Sequence, residues 1–314
     1  MKAKIVFLGT PEFAISILEK LHEEHDIIVV ITQPDRPTGR EQILTAPPVK
    51  IRAEQLGIPV LQPQKAFDIR NGILKITTHP PDFLITAAYG EYLPKTVLTL
   101  PEKDALNVHP SLLPLYRGAT PMQSALLNGD KKTGISIIRM VKEMDAGPIF
   151  AQEEFPLPAD MKYPDLEKLC SQRGAELISH VLAHHDDITP VDQESSHATM
   201  CHKINKEDGL ISWSEASAIQ IYNKFRAFTP WPGAFTQFKD QKLSILDASA
   251  LPNAESGHPP GTVFQENGQT LVQCQKGSLL IKVLQLAGKN AVDIKSFLNG
   301  HADFLGAKLI NERR

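Results

Sequence analysis

Residues 105–114 read ALNVHPSLLP. Ala105 to His109 form a short, mostly apolar run that reads as a buried strand, and Pro110 and Pro114 end it, because proline has no backbone N–H to offer a neighbouring strand. Asn107 and His109 stand two positions apart, so on an extended chain both side chains point to one face. In an open α/β sheet, functional groups gather at the carboxyl ends of the strands, where this turn places an amide and an imidazole.

The flanking sequence builds a sheet around that strand. KIVFLGT (4–10), DIIVVITQ (26–33), IPVLQP (58–63), DFLITAAY (82–89) and GISIIRM (134–140) are further short apolar runs. Between them, EFAISILEKLHEE (12–24), PPVKIRAEQL (47–56) and MQSALLNG (122–129) carry helical spacing. Alternating strands and helices predict an α/β domain with a Rossmann-like, mostly parallel sheet. The first turn, GTPEFA, lacks the G-x-G-x-x-G that brings backbone against a pyrophosphate, which argues against a dinucleotide. Gly9 instead makes the turn into a helix begun by Pro11 and Glu12.

A second carboxylate-bearing stretch, MDAGPI at 144–149, supplies Asp145. An amide, an imidazole and a carboxylate together suit acyl transfer between nitrogens. Amide and imidazole N–H groups stabilise the oxyanion that forms when an amine attacks a carbonyl. The imidazole accepts the amine proton directly or through water, and a neighbouring carboxylate fixes its tautomer. Asn107, His109 and Asp145 are the candidate catalytic residues. Ser111 and the cysteines carry no motif of an activated nucleophile.

NVHPSLLPLYRGATP (107–121) followed by MDAGPI resembles the folate-dependent formyltransferase family. The resemblance implies 10-formyltetrahydrofolate as co-substrate, Asn107, His109 and Asp145 as the catalytic set, and Ser111, Leu112, Leu113 and Pro114 as cofactor-binding residues around the folate. Pro110 departs from the family's pattern, in which glycine is frequent there; it stiffens the turn without removing a reacting group.

The chain has 314 residues, 42% hydrophobic and 22% charged, with a net charge of −3, which suits a soluble chain of about two domains and gives no overall nucleic-acid signature. Cys170, Cys201 and Cys274 lie far apart without C-x-x-C pairing, so reduced structural thiols are expected and no metal is. The apolar run at the N-terminus is interrupted too early for a signal peptide, and no run reaches a membrane span, so a cytoplasmic enzyme is expected. His180 and His184 are four apart on one helical face, but without H-E-x-x-H they and His185 read as surface residues at a helix end.

Residues 1–189 are expected to form the catalytic domain and the polar stretch 190–207 a linker. One helix, SEASAIQIYNKFRAF (214–228), then precedes short β-like runs, predicting a small OB-like β-barrel over 208–314. Residues 205–314 carry 12 Lys and Arg against 10 Asp and Glu, while 1–204 carry 21 against 26. This surplus is too small to signal RNA by itself. Several branches of the family share the catalytic half, and the acceptor is left open between small amines and RNA on residues alone. The loop TQPDRPTGREQILTAPPVK (32–50), the junction at 203–235 and the motif LQLAGKNAVDIKSFLNGH (284–301) resemble the branch that formylates initiator methionyl-tRNA. That resemblance implies initiator methionyl-tRNA and folate as partners and tRNA binding by the C-terminal domain, with no membrane; a monomer is expected. Arg36, Arg40 and Lys50 are the loop's cations, and Arg40 is the position singled out for tRNA binding, against the alternative of a solvated loop. Here the loop departs from its usual form, with Glu41 and Gln42 where glycine and lysine are common. Phe225, Phe228, Trp231 and Phe235 are expected in the core rather than as base-stacking platforms.

Overall fold

The computed structural model describes residues 2–39, 41–65 and 68–310. In chain order the strands are β1 (Lys4–Gly9), β2 (Asp26–Ile31), β3 (Arg36–Thr38), β4 (Ile43–Thr45), β5 (Val60–Leu61), β6 (Phe83–Ala87), β7 (Asp104–His109), β8 (Arg117–Gly118), β9 (Lys132–Arg139), β10 (Ile149–Pro156), β11 (Met200–Cys201), β12 (Ala234–Phe238), β13 (Gln241–Leu251), β14 (Val263–Glu266), β15 (Gln269–Gln273), β16 (Ser278–Leu286) and β17 (Val292–Asp293). The α-helices are α1 (Ile15–Glu24), α2 (Pro48–Gln55), α3 (Asp68–Ile76), α4 (Lys95–Leu98), α5 (Pro121–Asn128), α6 (Tyr163–Ala183), α7 (Ala218–Ala227) and α8 (Ile294–Gly300). Contacts divide the chain into two compact units. One holds the chain as far as Pro121 with Lys132–Pro156 and Leu166–His202; the other holds Met122–Lys131, Leu157–Asp165 and the chain from Lys203 onward.

The first unit is built on a seven-stranded sheet of order β10-β9-β7-β6-β1-β2-β5. β5, β2, β1, β6 and β7 run parallel, and β9 and β10 add an antiparallel edge. All six expected strands of the first half lie in it, so the Rossmann-like reading holds. β6 is buried along its whole length and β1 from Ile5 onward, as central strands covered on both faces must be. Helix α1 turns Ile17, Leu18 and Leu21 inward.

The stretch expected as a linker is ordered against this unit as far as His202. Val191 exchanges backbone hydrogen bonds with Ile149 at 2.8 and 2.9 Å, and β11 pairs in parallel with β8. Gly118 makes that pairing possible: its φ of +118° suits glycine, and a Cβ there would collide with the Cys201 carbonyl.

The second unit contains the antiparallel sheet β12-β13-β16-β15-β14, with β17 beside β16. Its two edge strands are both met by one segment near the chain's end: Ile310 bridges Gln237 of β12, and Lys308 bridges Thr262 next to β14. This curls the sheet toward closure, as the barrel expectation required, and covers edges that would otherwise be exposed. Helix α7 begins at a capping box in which Ser217 accepts from the Gln220 N–H and the Gln220 side chain accepts from the Ser217 N–H. Ile221 and Phe225 of α7 pack into a core with Trp213, Phe238, Leu243, Phe297 and Phe304. Arg226, 2% exposed, donates to the Asn223 side chain and to the carbonyls of Leu126, Pro158 and Met161 at 3.0 to 3.4 Å. It thereby ties Met122–Lys131 and Leu157–Asp165 to α7.

Candidate active site

Strand β7 brings Asn107 and His109 to its carboxyl end, and the loop before β10 brings Asp145 beside them. Residue pairing places Thr86 of β6 opposite Asn107. The Thr86 hydroxyl donates to Asn107 Oδ1 at 2.7 Å, and Asn107 Nδ2 donates to Asp145 Oδ1 at 3.2 Å. These two bonds fix which end of the amide is which. An amide nitrogen carries two hydrogens, so one N–H of Asn107 is without a partner among the described residues.

His109 is 4% exposed. Its Nε2 lies 3.0 Å from the Tyr116 carbonyl oxygen. A carbonyl only accepts, so Nε2 carries the proton and the lone pair of the neutral ring sits on Nδ1. Nδ1 is 3.7 Å from Asp145 Oδ2, within strong Coulomb range but beyond a hydrogen bond. The tautomer is therefore set by a backbone carbonyl, where the sequence suggested the carboxylate. Asp145 Oδ2 instead accepts from the Gly118 N–H at 2.8 Å. Tyr116 and Asp145 both adopt left-handed backbone, at φ +61° and +49°; such strain in non-glycine residues persists where surrounding contacts hold it.

The turn after β7 is packed from within. Ser111, fully buried, donates to the Leu115 carbonyl at 2.7 Å, so its hydroxyl is committed to the turn. Leu113 is buried, its N–H donating to Ser136 Oγ at 3.1 Å and its carbonyl accepting from Gln152 at 2.9 Å. Leu112 and Pro114 are half-buried. Leu112 lies over Gly134 of β9, where a Cβ would collide with its side chain and with the Glu153 carbonyl.

The other singled-out residues are distributed differently. Arg40 lies outside the described residues. Strands β3 and β4 pair antiparallel, with Ile43 and Leu44 of β4 exposed. Lys50 does not face a partner RNA freely: it is held by both Asp35 oxygens and by Gln62 Oε1, all at 2.9 Å. Arg36 is exposed and bonds Gln33 at 3.1 Å. Phe225, Phe228 and Phe235 are buried as expected, but Trp231 is 60% exposed. His180 and His184 are exposed, whereas His185 is largely buried, bonded through Nε2 to Asp104 at 2.8 Å and stacked on Phe150. Among the described residues no group of His, Cys, Asp and Glu is placed to hold a metal, and no helix is long and apolar enough to cross a membrane.

Thr86, Tyr116 and Gly118 escaped sequence reasoning. Thr86 was recoverable, since its strand is the parallel neighbour of β7 and the register follows. Tyr116 and Gly118 act through backbone atoms, which leave no mark in side-chain chemistry.

An amide, an imidazole and a carboxylate gathered at the carboxyl end of a Rossmann-like sheet suit a transferase acting on a carbonyl carbon. Residues 3–182 match the formyl transferase family and residues 203–302 the formyl transferase C-terminal domain, and the chain belongs to that family. The methionyl-tRNA formyltransferase of Herpetosiphon aurantiacus is 42% identical over 303 residues, covering 96% of this chain and 98% of that protein. That of Listeria innocua is 39% identical over 300 residues, 95% of each. Among solved structures, HypX from Aquifex aeolicus in complex with tetrahydrofolic acid aligns with a TM-score of 0.64 at 17% identity, over 97% of this chain and 48% of that one, a likeness of fold.

Proposed function

We propose that this chain transfers a formyl group from 10-formyltetrahydrofolate to the amine of methionyl initiator tRNA. The observation that carries the reading is the meeting of Asn107, His109 and Asp145 at one strand end, in a chain whose relatives align over nearly its full length under that activity. The names of those relatives favour charged tRNA over a small amine as acceptor.

His109 acts as base through Nδ1, the nitrogen that holds the lone pair. The amine nitrogen bonds to the formyl carbon while His109 takes the amine proton, directly or through water. Asn107 directs its free N–H at the oxyanion, and Asp145 stabilises the imidazolium. Collapse breaks the bond from formyl carbon to folate nitrogen, and His109 returns the proton to that nitrogen. Leu112 and Pro114 form the surface that the folate meets, with Ser111 and Leu113 supporting it from within. Catalysis belongs to the first unit and tRNA binding to the second, with Arg40 as a loop contact to the RNA; the chain works as a monomer in the cytoplasm.

The test is incubation with 10-formyltetrahydrofolate and charged initiator tRNA, following N-formylmethionine. Asn107→Ala should lower kcat about 100- to 1000-fold, the usual cost of one oxyanion donor, while still melting cooperatively as a folded protein. Full activity of that variant overturns the site; wild-type preference for a small amine over the charged tRNA overturns the acceptor.

A further inference from the structure

Asp145 is held from two sides, and only one is its carboxylate. Its main-chain carbonyl accepts from Gln193 Nε2 at 2.8 Å, and the same nitrogen donates to the Gly147 carbonyl at 2.7 Å. Both amide hydrogens are thus spent across the turn that carries Asp145. The oxygen end is equally committed: Gln193 Oε1 accepts from Arg117 Nε at 3.1 Å and Nη2 at 2.8 Å. Arg117 is 8% exposed, and a guanidinium that meets an amide with two parallel N–H groups leaves only one orientation in which Nε2 faces the two carbonyls.

Three consecutive residues of the β8 segment therefore converge on the site. The Tyr116 carbonyl holds His109, the Gly118 N–H holds the Asp145 carboxylate, and the Arg117 side chain, acting through Gln193, holds the Asp145 backbone. That backbone needs holding, because Asp145 sits at φ +49°, a left-handed conformation that a non-glycine residue keeps only where its surroundings hold it. We propose that Gln193, oriented by Arg117, is a positioning residue that keeps the Asp145 carboxylate within reach of Asn107 and His109. Gln193 comes from the strap between Val191 and Cys201, so this segment contributes to catalysis as well as joining the two halves of the chain.

The inference rests on the formyl-transfer reading, and the experiment separates the two. Gln193→Glu keeps the size and the Arg117 contact but removes both donors. With wild type, Gln193→Glu, Asp145→Ala and the double variant, single-turnover and steady-state formyl transfer from 10-formyltetrahydrofolate to charged initiator tRNA are measured. Gln193→Glu should lower kcat 10- to 100-fold with KM for both substrates within about twofold, and in the Asp145→Ala background should cost less than about twofold more, because residues acting as a unit are non-additive. Wild-type rate in Gln193→Glu overturns the proposal, as does a full multiplicative loss in the double variant, which would place its effect elsewhere. A wild-type protein without formyl transfer overturns the reading beneath it. If thermal denaturation shows Gln193→Glu unfolded, Arg117→Lys replaces it in the same cycle: a 3- to 10-fold kcat loss absent from the Asp145→Ala background supports the proposal, and no loss or an additive one overturns it.

Discussion

Thr86→Val tests whether the orientation of the Asn107 amide, rather than its mere presence, matters. Valine matches threonine in shape, so the buried site, 3% exposed, keeps its packing and loses one hydroxyl. That hydroxyl lies 2.7 Å from Asn107 Oδ1, closer than to its other acceptors, Leu106 O and Met140 Sδ, both at 3.3 Å. A neutral hydrogen bond of this kind contributes about 0.5–1.5 kcal/mol net. The Asp145 contact to Nδ2 remains and still opposes a flipped amide, since a flip would set Oδ1 against the carboxylate. The amide should therefore loosen without inverting, and the rate should fall by about the free energy of the lost bond, roughly 3- to 10-fold in kcat. This lies far short of the Asn107→Ala loss. Steady-state formyl transfer at saturating donor and charged tRNA measures it, with Thr86→Ser as the variant that restores the donor. Wild-type kcat in Thr86→Val, or a loss as deep as that of Asn107→Ala, would refute the reasoning.

Three further changes probe other parts of the molecule. Leu112→Ala should raise KM for the formyl donor about 10-fold, from roughly 1–1.5 kcal/mol of apolar contact, while KM for tRNA stays put; equal effects on both substrates would count against a folate surface there. Arg226→Met leaves the Met161 carbonyl and Asn223 Oδ1 without the donor they have here, while the Leu126 and Pro158 carbonyls keep the Gly129 and Met161 N–H groups. Unmet acceptors cost about 1–3 kcal/mol each, offset by relief of the buried charge, so a net loss of about 2–4 kcal/mol should appear in thermal melting, and an unchanged midpoint would show the clamp to be dispensable. Asp35 is held below its ordinary pKa by the Gln62 hydrogen bond first and the Lys50 hydrogen bond second. Its stabilising contribution is thus present above the unfolded value of about 3.9 and lost as pH falls through the lowered folded value. Asp35→Asn should accordingly flatten the decline of melting temperature below about pH 4, and identical acid slopes would contradict this.

The sheet was legible because its strands are buried on both faces and so appear as unbroken apolar runs. β10 was not: IFAQEEFP, at 149–156, alternates polar and apolar residues because it is an edge strand with one face in solvent. The strap carrying Gln193 is rich in polar residues, and its order comes from backbone pairing with Ile149 and β8, which composition does not encode. Side-chain type marked Lys50 as an RNA-facing cation, yet Asp35, fifteen residues earlier, neutralises it once α2 is folded. Trp231 shows the opposite failure. Its three aromatic neighbours in sequence are core, and nothing in their spacing separates it from them.

The backbone contribution to the site also orders the chemistry. Because Nε2–H of His109 is committed to the Tyr116 carbonyl, the neutral ring has no N–H left for an oxyanion. On the formyl-transfer reading, Asn107 alone among the three residues meets the developing charge as the amine first attacks. His109 joins it as a donor only after Nδ1 has taken the amine proton, and at that moment the new imidazolium lies 3.7 Å from Asp145. Proton uptake at Nδ1 thus creates both the second oxyanion donor and the ion pair that holds it, so the loss of Asp145 should weaken a step that Asn107 has already begun.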